Sequence, residues 1–379
     1  MIETLGAMVS WIPVSIPAFL FVLTVIVFVH ELGHFLVARY FGVKVDTFSI
    51  GFGREIWGRT DSKGTRWKLS WLPLGGYVKF AGDADASSRT DRDAIARMSD
   101  DERAGAFQLK PLYQRALVIA AGPGANFVFA IVIFALLFMT LGRQIVPAIV
   151  ADVRPDSAAA EAGFHPGDAI IEADGIEIET FSDLQRIVAT SAGVAIDFVV
   201  ERDAREIVLQ ATPRATEITD RFGNVQRIGI LGITNRVDAD AVRLERYGPV
   251  EAVWRAMAET WFIVDRTFSY LGRMITGAED TSQLSGPIGI AKVSGDVAGI
   301  SLIALINFMA LVSISIGLVN LFPIPVLDGG HLLYYAFEAA TGRPLGERAQ
   351  EMGFRLGLAL VLSLMLLATW NDLVRYDLF

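Results

Sequence analysis

The 379-residue sequence contains no cysteine. That excludes disulfides and thiolate metal sites, so any zinc must be held by His and carboxylate groups. Histidine is scarce as well, the full set being His30, His34, His165 and His331. Charged residues make up 20% of the chain against 53% hydrophobic, and mean hydropathy is +0.44, too apolar for an ordinary soluble protein of this length. No Lys or Arg precedes Arg39, and the first apolar stretch lacks a small-residue cleavage site; it reads as a retained anchor, not a signal peptide. The net charge of −9 leaves no electrostatic footprint for nucleic acid.

What is present points to a membrane. Uncharged runs predict four spans at residues 4–35, 116–141, 300–327 and a shorter 356–371, the last with Arg355 snorkelling to the headgroups. Fourteen Lys and Arg between Arg39 and Arg115 predict a cytoplasmic loop there and an external amino terminus. His30-Glu31-Leu32-Gly33-His34 closes the first span. Two His at i and i+4 share one helical face and can grip one metal ion, with Glu31 between them available as a general base. The plainer alternative is a pair of satisfied core histidines beside a buried carboxylate, but ionisable groups inside a span are costly and mark functional sites. At 1.5 Å per residue Glu31 lies about 12 Å from Arg39, in the cytoplasmic half of the membrane. A third ligand should come from residues 320–331, NLFPIPVLDGGH, where Pro323 and Pro325 break a helix at membrane depth. Asp328 and His331 are both chemically able to bind zinc. The alternative is a simple turn, with Asp328 capping the next helix.

His-Glu-Leu-Gly-His on a first span, Leu-Asp-Gly-Gly-His after a broken later span, and Gly-Pro-Gly-Ala-Asn-Phe at residues 122–127 together resemble the site-2 protease family, specifically its bacterial regulator-of-sigma-E type. The resemblance runs from about residue 15 to 372. It implies a Zn2+ cofactor held by His30, His34 and Asp328, with Glu31 as catalytic base, and it favours Asp328 over His331. Asn320 matches the family's substrate-contacting asparagine. Residues 65–80 have aromatic-rich, alternating flanks around Pro73, Gly75 and Gly76, the pattern of a β-hairpin. A small cytoplasmic sheet is one reading. In related proteases such a hairpin re-enters the membrane beside the metal, where its edge, near Gly75 and Gly76, could take substrate by β-addition.

Gly122, Pro123 and Gly124 interrupt the second span; they suggest close packing on the metal-bearing helix with Asn126 as a polar tie, or a simple kink. Residues 158–178 look like part of a PDZ domain, followed by a helix at 181–190 and strands near 195–202 and 206–211. Gly229 to Ile233 reads as an edge strand or a set of amide donors for a carboxylate, and His165 as a surface turn residue. Apolar residues from Val250 to Leu271 recur at helical spacing, giving an amphipathic helix that faces the outer membrane surface or the PDZ domain.

The expected fold is a polytopic α-helical membrane protein of about four spans, with a membrane-associated β-hairpin region and a soluble α+β PDZ domain. Its segments are 1–40 (first span), 41–111 (β region and the charged 83–103 loop), 112–142 (second span), 143–236 (PDZ), 237–299 (amphipathic helix and turn), 300–327 (third span), 328–352 (LDGGH segment) and 353–379 (fourth span and tail). The expected activity is intramembrane zinc proteolysis in a bacterial inner membrane, with the PDZ domain outside and the active site towards the cytoplasm. Expected partners are transmembrane protein substrates such as anti-sigma factors or remnant signal peptides, membrane lipid, and a peptide or carboxyl terminus at the PDZ domain, with no nucleic acid. Two rivals are a non-catalytic PDZ scaffold, which has no use for Glu31 between two correctly spaced His, and a metal or ion transporter, which more often shows paired repeats not seen here.

Overall fold

The structure, a computed structural model, describes residues 12–83, 97–219, 225–235, 243–277 and 284–376. Residues 4–11 of the expected first span and 84–96 of the charged loop lie outside the described residues. In chain order the first elements are α1 (Ile12–Tyr40), β1 (Val45–Thr60), β2 (Arg66–Phe80), α2 (Asp100–Gly105) and α3 (Leu112–Thr140). Then come β3 (Arg143–Ile145), β4 (Val150–Val153), α4 (Ala158–Ala162), β5 (Ala169–Ala173), β6 (Ile176–Glu177), α5 (Phe181–Thr190), β7 (Ile196–Arg202) and β8 (Arg205–Ala211). They are followed by β9 (Arg214–Thr219), β10 (Val225–Ile230), β11 (Ile233–Asn235) and β12 (Arg243–Glu245). Helices α6 (Pro249–Ile275), α7 (Pro287–Ile300), α8 (Leu302–Leu321), α9 (Asp328–Thr341) and α10 (Glu347–Arg375) complete the order. Two compact units result: Met1–Ala135 with Val253–Val264 and Leu284–Phe379, and Leu136–Ala252 with Asp265–Gln283.

Among the described residues, four helices are long and apolar enough to cross a bilayer: Ile12–Tyr40, Leu112–Thr140, Leu302–Leu321 and Arg348–Arg375. Helix α1 stops where Gly42 adopts φ +67 and Val43 donates back to Ala38 O at 2.8 Å, a left-handed cap that turns the chain into β1. Helix α3 continues through Pro123, so the glycine-proline run does not interrupt it. Helix α8 ends at Leu321 and not at 327, because Pro323 disfavours helical backbone at Phe322 and cannot donate to the ladder. Residues 287–300, where the sequence suggests no helix and only a turn at Ser285-Gly286-Pro287 ahead of the third span, form α7. Its free N-terminal amides at Gly286 and Gly289 are taken by the fully buried Asp372 carboxylate of α10, at 3.0 and 2.8 Å.

Residues 65–80 are not a hairpin in themselves. The hairpin is β1 with β2, its turn held by Asp61 Oδ1 accepting from Lys63 N and Thr65 N at 2.9 and 3.0 Å. Both strands bend, β1 near Gly51 and Gly53 with positive φ and β2 near Pro73 and Gly75, so residues 45–50 pair with 66–69 on one side and with 76–80 on the other. Two long strands thus make four short ones, and residues 76–80 form an edge. Arg39 at the end of α1 pairs with Asp61 at 2.6 Å. Phe48, fully buried, stacks on Trp67 at 4.4 Å and meets Phe35 edge-on at 5.6 Å.

The second unit centres on an antiparallel sheet ordered β6-β5-β7-β8, with β9–β10, β4–β11 and β3–β12 as separate antiparallel pairs. Leu231 and Gly232, within the Gly229–Ile233 run, accept backbone bonds from Ala159 and Arg154. His165 is exposed. Arg266 of α6, which belongs to this unit, bonds Thr190 Oγ1 at the end of α5.

Asp168 is the buried charge of this sheet. Arg202 grips it through two bonds of 2.6 and 2.8 Å, and the His165 amide adds a third at 2.8 Å. Burial by itself would raise the Asp168 carboxyl, but Arg202 and the His165 amide hold it below the usual carboxylate range. A folded-state pKa depressed in this way contributes stability above the unfolded value near 4 and loses it as pH falls through the folded value. Hydrogen exchange in β5 and β7 of the solubilised full chain, corrected for intrinsic rates, should therefore accelerate below about pH 4. Asp168→Asn should cost about 3 kcal/mol at neutral pH and flatten this acid dependence. An unchanged acid dependence in the variant would show that another group causes it.

Candidate metal centre

Helix α1 presents His30 and His34 on one face, both buried. His34 Nδ1 lies 2.8 Å from Val118 O of α3, so Nδ1 carries a proton, and in the neutral ring Nε2 keeps its lone pair. The two Nε2 atoms are 3.2 Å apart. Asp328 Oδ2 lies 3.1 Å from His30 Nε2 and 3.5 Å from His34 Nε2. Among the described residues these three are the one group of His and carboxylate atoms close enough to share a metal ion.

The arrangement fits a cation on its own chemistry. Asp328 Oδ2 is buried and has no hydrogen-bond partner, although a buried carboxylate oxygen ordinarily has one. It faces imidazole nitrogens, at least one of which offers a lone pair, and electron-rich atoms crowd together at little benefit unless a positive ion joins them. Space is reserved too. A Cβ on Gly122 of α3 would overlap His34 Nε2 and come within 2.9 Å of His30 Nε2. Two His and one Asp without thiolate make a donor set suited to catalytic zinc, which keeps a further position open.

Asp328 reaches this point because the chain doubles back after α8. It is the first residue of α9, and the N-cap, Leu327, makes no side-chain cap bond, so Asp328 is not serving as that cap. A Cβ on Gly329 would overlap Leu321 and Phe322 carbonyl oxygens, and one on Gly330 would lie 2.5 Å from Ile324 O. The Gly-Gly pair is therefore what allows α9 to start directly against the end of α8. His331 is not in the metal-competent group; its ring lies edge-on to Tyr334 at 6.3 Å.

Glu31 follows His30 on α1, and the Val78 backbone hydrogen-bonds its carboxylate. Gly76, on the sheet edge, is so close that a Cβ there would lie 3.0 Å from Glu31 Cγ and 2.9 Å from Val27 Cγ1. Gly75 has φ +135 and packs against the Phe52 ring. Asn320 Nδ2 donates to Ile316 O of its own helix at 3.0 Å. Sequence reasoning did not find the Val118 carbonyl, which leaves no side-chain signal. It gave Asn126 only a general packing role, whereas the amide lies 3.2 Å from His30 Nδ1.

Residues 18–364 match the family described as Peptidase family M50. The chain belongs to this family. It is 47% identical over 371 residues to an Agrobacterium fabrum protein named "Putative zinc metalloprotease", covering 98% of each chain. It is 43% identical over 388 residues to metalloprotease MmpA of Caulobacter vibrioides, covering 97% of each. A solved PDZ domain of an SdrC-like protein from Listeria monocytogenes is similar to 24% of this chain and 87% of its own, at 21% identity and a TM-score of 0.19. M50 peptidases use zinc, and the donor set described above suits that metal.

In this M50 chain the glycine cradle should decide metal affinity. Gly122→Ala should displace the imidazoles and weaken zinc binding about 10-fold or more, the scale of a disturbed ligand support. Gly124→Ala, whose Cβ meets nothing within 4 Å, should bind zinc like the wild type. Chelator competition on solubilised protein measures both, and equal affinities would mean that the metal does not sit beside Gly122.

Proposed function

We propose that the protein hydrolyses peptide bonds within transmembrane segments of single-pass membrane proteins, using zinc held by His30, His34 and Asp328. The observation that carries this reading is the convergence of Asp328, at the head of α9, with His30 and His34 next to Glu31 on α1, a helix apolar enough to lie in a bilayer. Bound zinc supplies Lewis acidity, which lowers the pKa of water and polarises a carbonyl oxygen. Glu31 takes the proton of the attacking water and returns it to the leaving amine, while Val78 holds its carboxylate in place. Asp328 holds charge against the two imidazoles, whose orientation is set by partners on α3.

A helical substrate hides its scissile amides in its own hydrogen bonds and must unwind locally to be cut. In our reading the edge at residues 76–80, with Gly75 and Gly76 at its start, receives the unwound segment by β-addition. Asn320 adds a side-chain contact through Oδ1, its Nδ2 being used within α8. At the far end of the sheet Trp57 and Trp71 are 60% and 71% exposed, which supports a β region immersed in lipid. Arg39, Lys44, Lys110 and Arg115 near the helix ends favour the cytoplasmic side of the membrane for the sheet and active site, with the insert, a PDZ domain that selects peptides or carboxyl termini, outside. The substrate class that follows is an anti-sigma factor or remnant signal peptide already trimmed on the outer side, in a bacterial inner membrane.

Glu31→Gln should retain zinc and lower cleavage of a reconstituted transmembrane substrate by about 10³-fold. Asp328→Asn should lose zinc and activity together. Cleavage by the Glu31 variant at wild-type rate would sink the reading. Asn320→Ala should keep zinc and lose most activity on helix-stable substrates, with less loss where Gly or Pro near the cut eases unwinding; equal losses on both kinds would make Asn320 a structural tie.

A further inference from the structure

Asn126 stands one helical turn beyond Gly122 on α3 and is completely buried. Its backbone carbonyl accepts from Ser313 Oγ of α8 at 3.0 Å, and a Cβ on Gly317 would lie 3.2 Å from its own Cβ. The side chain is therefore held on both sides, by α8 and by α1. Its amide lies 3.2 Å from His30 Nδ1, with Nδ2 facing the ring, and Oδ1 is buried without a hydrogen-bond partner.

The direction of this bond matters for the ligand. If Nδ2 donated to Nδ1, the proton of a neutral His30 ring would sit on Nε2, the atom that faces His34 Nε2 and Asp328 Oδ2. That proton would occupy the place a metal requires. A half-turn of the amide exchanges nitrogen and oxygen without changing the shape of the side chain. It sets Oδ1 opposite Nδ1 and gives the orphaned acceptor a donor. His30 then matches His34, whose Nδ1–H is taken by Val118 O of the same helix.

We infer that Asn126 is a positioning residue that accepts the His30 Nδ1–H through its amide oxygen, fixing the tautomer whose Nε2 lone pair is free for zinc. This rests on the zinc reading of His30 given above, yet it concerns an atom that can be observed without turnover. Helix α3 in this view supplies both acceptors that set the two histidine ligands, one from backbone and one from a side chain.

The test uses full-length solubilised protein, with zinc affinity from chelator competition and ¹⁵N spectra of labelled imidazoles, to which four histidines contribute. Zinc-free wild type should show His30 as the Nδ1–H tautomer. Asn126→Asp, which keeps an acceptor and removes the donor, should retain that tautomer and bind zinc within about 3-fold of wild type, while Asn126→Leu should weaken binding about 10- to 100-fold. An Nε2–H tautomer in wild type, an Asp variant as weak as the Leu variant, or a Leu variant as tight as wild type would each overturn the assignment. Should Asn126→Leu fail to fold, the wild-type tautomer and the Asp variant decide the matter. An Nδ1–H tautomer in a wild type that binds no zinc would support the hydrogen bond and refute the metal reading, so the two failures are distinct.

Discussion

The backbone contact between α1 and α3 is the constraint on which the site depends. Lipid is as apolar as the side chains, so helices in a membrane associate through close packing and hydrogen bonds, not through hydrophobic burial. Here the contact is made by absences. Gly33, inside the His-Glu-Leu-Gly-His run, has no room for a Cβ because Ala121 O and Ala125 Cβ occupy the space, and Gly122 leaves a hollow for the imidazoles. Only at this separation can Val118 O and the Asn126 amide reach Nδ1 of His34 and His30. The same glycines that join the helices therefore orient the rings.

The other half of the site needs the opposite behaviour, a chain that refuses to stay helical. Pro323 and Pro325 end α8, and the short return that follows is gripped by Gly329, Gly330 and Gly357, the last against the Pro325 backbone. Irregular backbone at membrane depth is tolerated where protein covers it. Val326, at φ 133, takes a conformation rare for a β-branched residue in this same return. Strain of this sort persists where surrounding structure over-determines it, and the outcome is Asp328 delivered at the head of a new helix.

The parts of this architecture readable from sequence were those whose signal is local. Two His at i and i+4 declare a shared face whatever surrounds them, and uncharged runs mark apolar helices closely enough that four overlap the expected spans. Spacing could not choose between Asp328 and His331, which lie within one turn of each other; the choice depends on where that turn meets α1. Alternation identified residues 65–80 as β, read as a hairpin, but not their partner, since a bent strand that pairs on both sides leaves the same period-2 trace as a hairpin arm. Helix α7 was missed for a similar reason. Its start reads as a turn, and the group that caps it, Asp372, lies 86 residues away in sequence from Gly286.

Stability and chemistry are carried by different kinds of interaction in the two units. In the insert, Asp168 is compensated by Arg202 and a backbone amide, so its charge ties β5 to β7. Near α1 the charge of Asp328 faces only the imidazoles of His30 and His34, and its Oδ2 has no hydrogen-bond donor. An arrangement of that kind is costly alone, and metal binding returns its free energy to the fold. In the proposed reading, then, zinc is more than a reagent. Held by His30, His34 and Asp328, it would fasten the start of α9 to α1, and so would join the helix that carries Glu31 to the end of α8, where Asn320 stands.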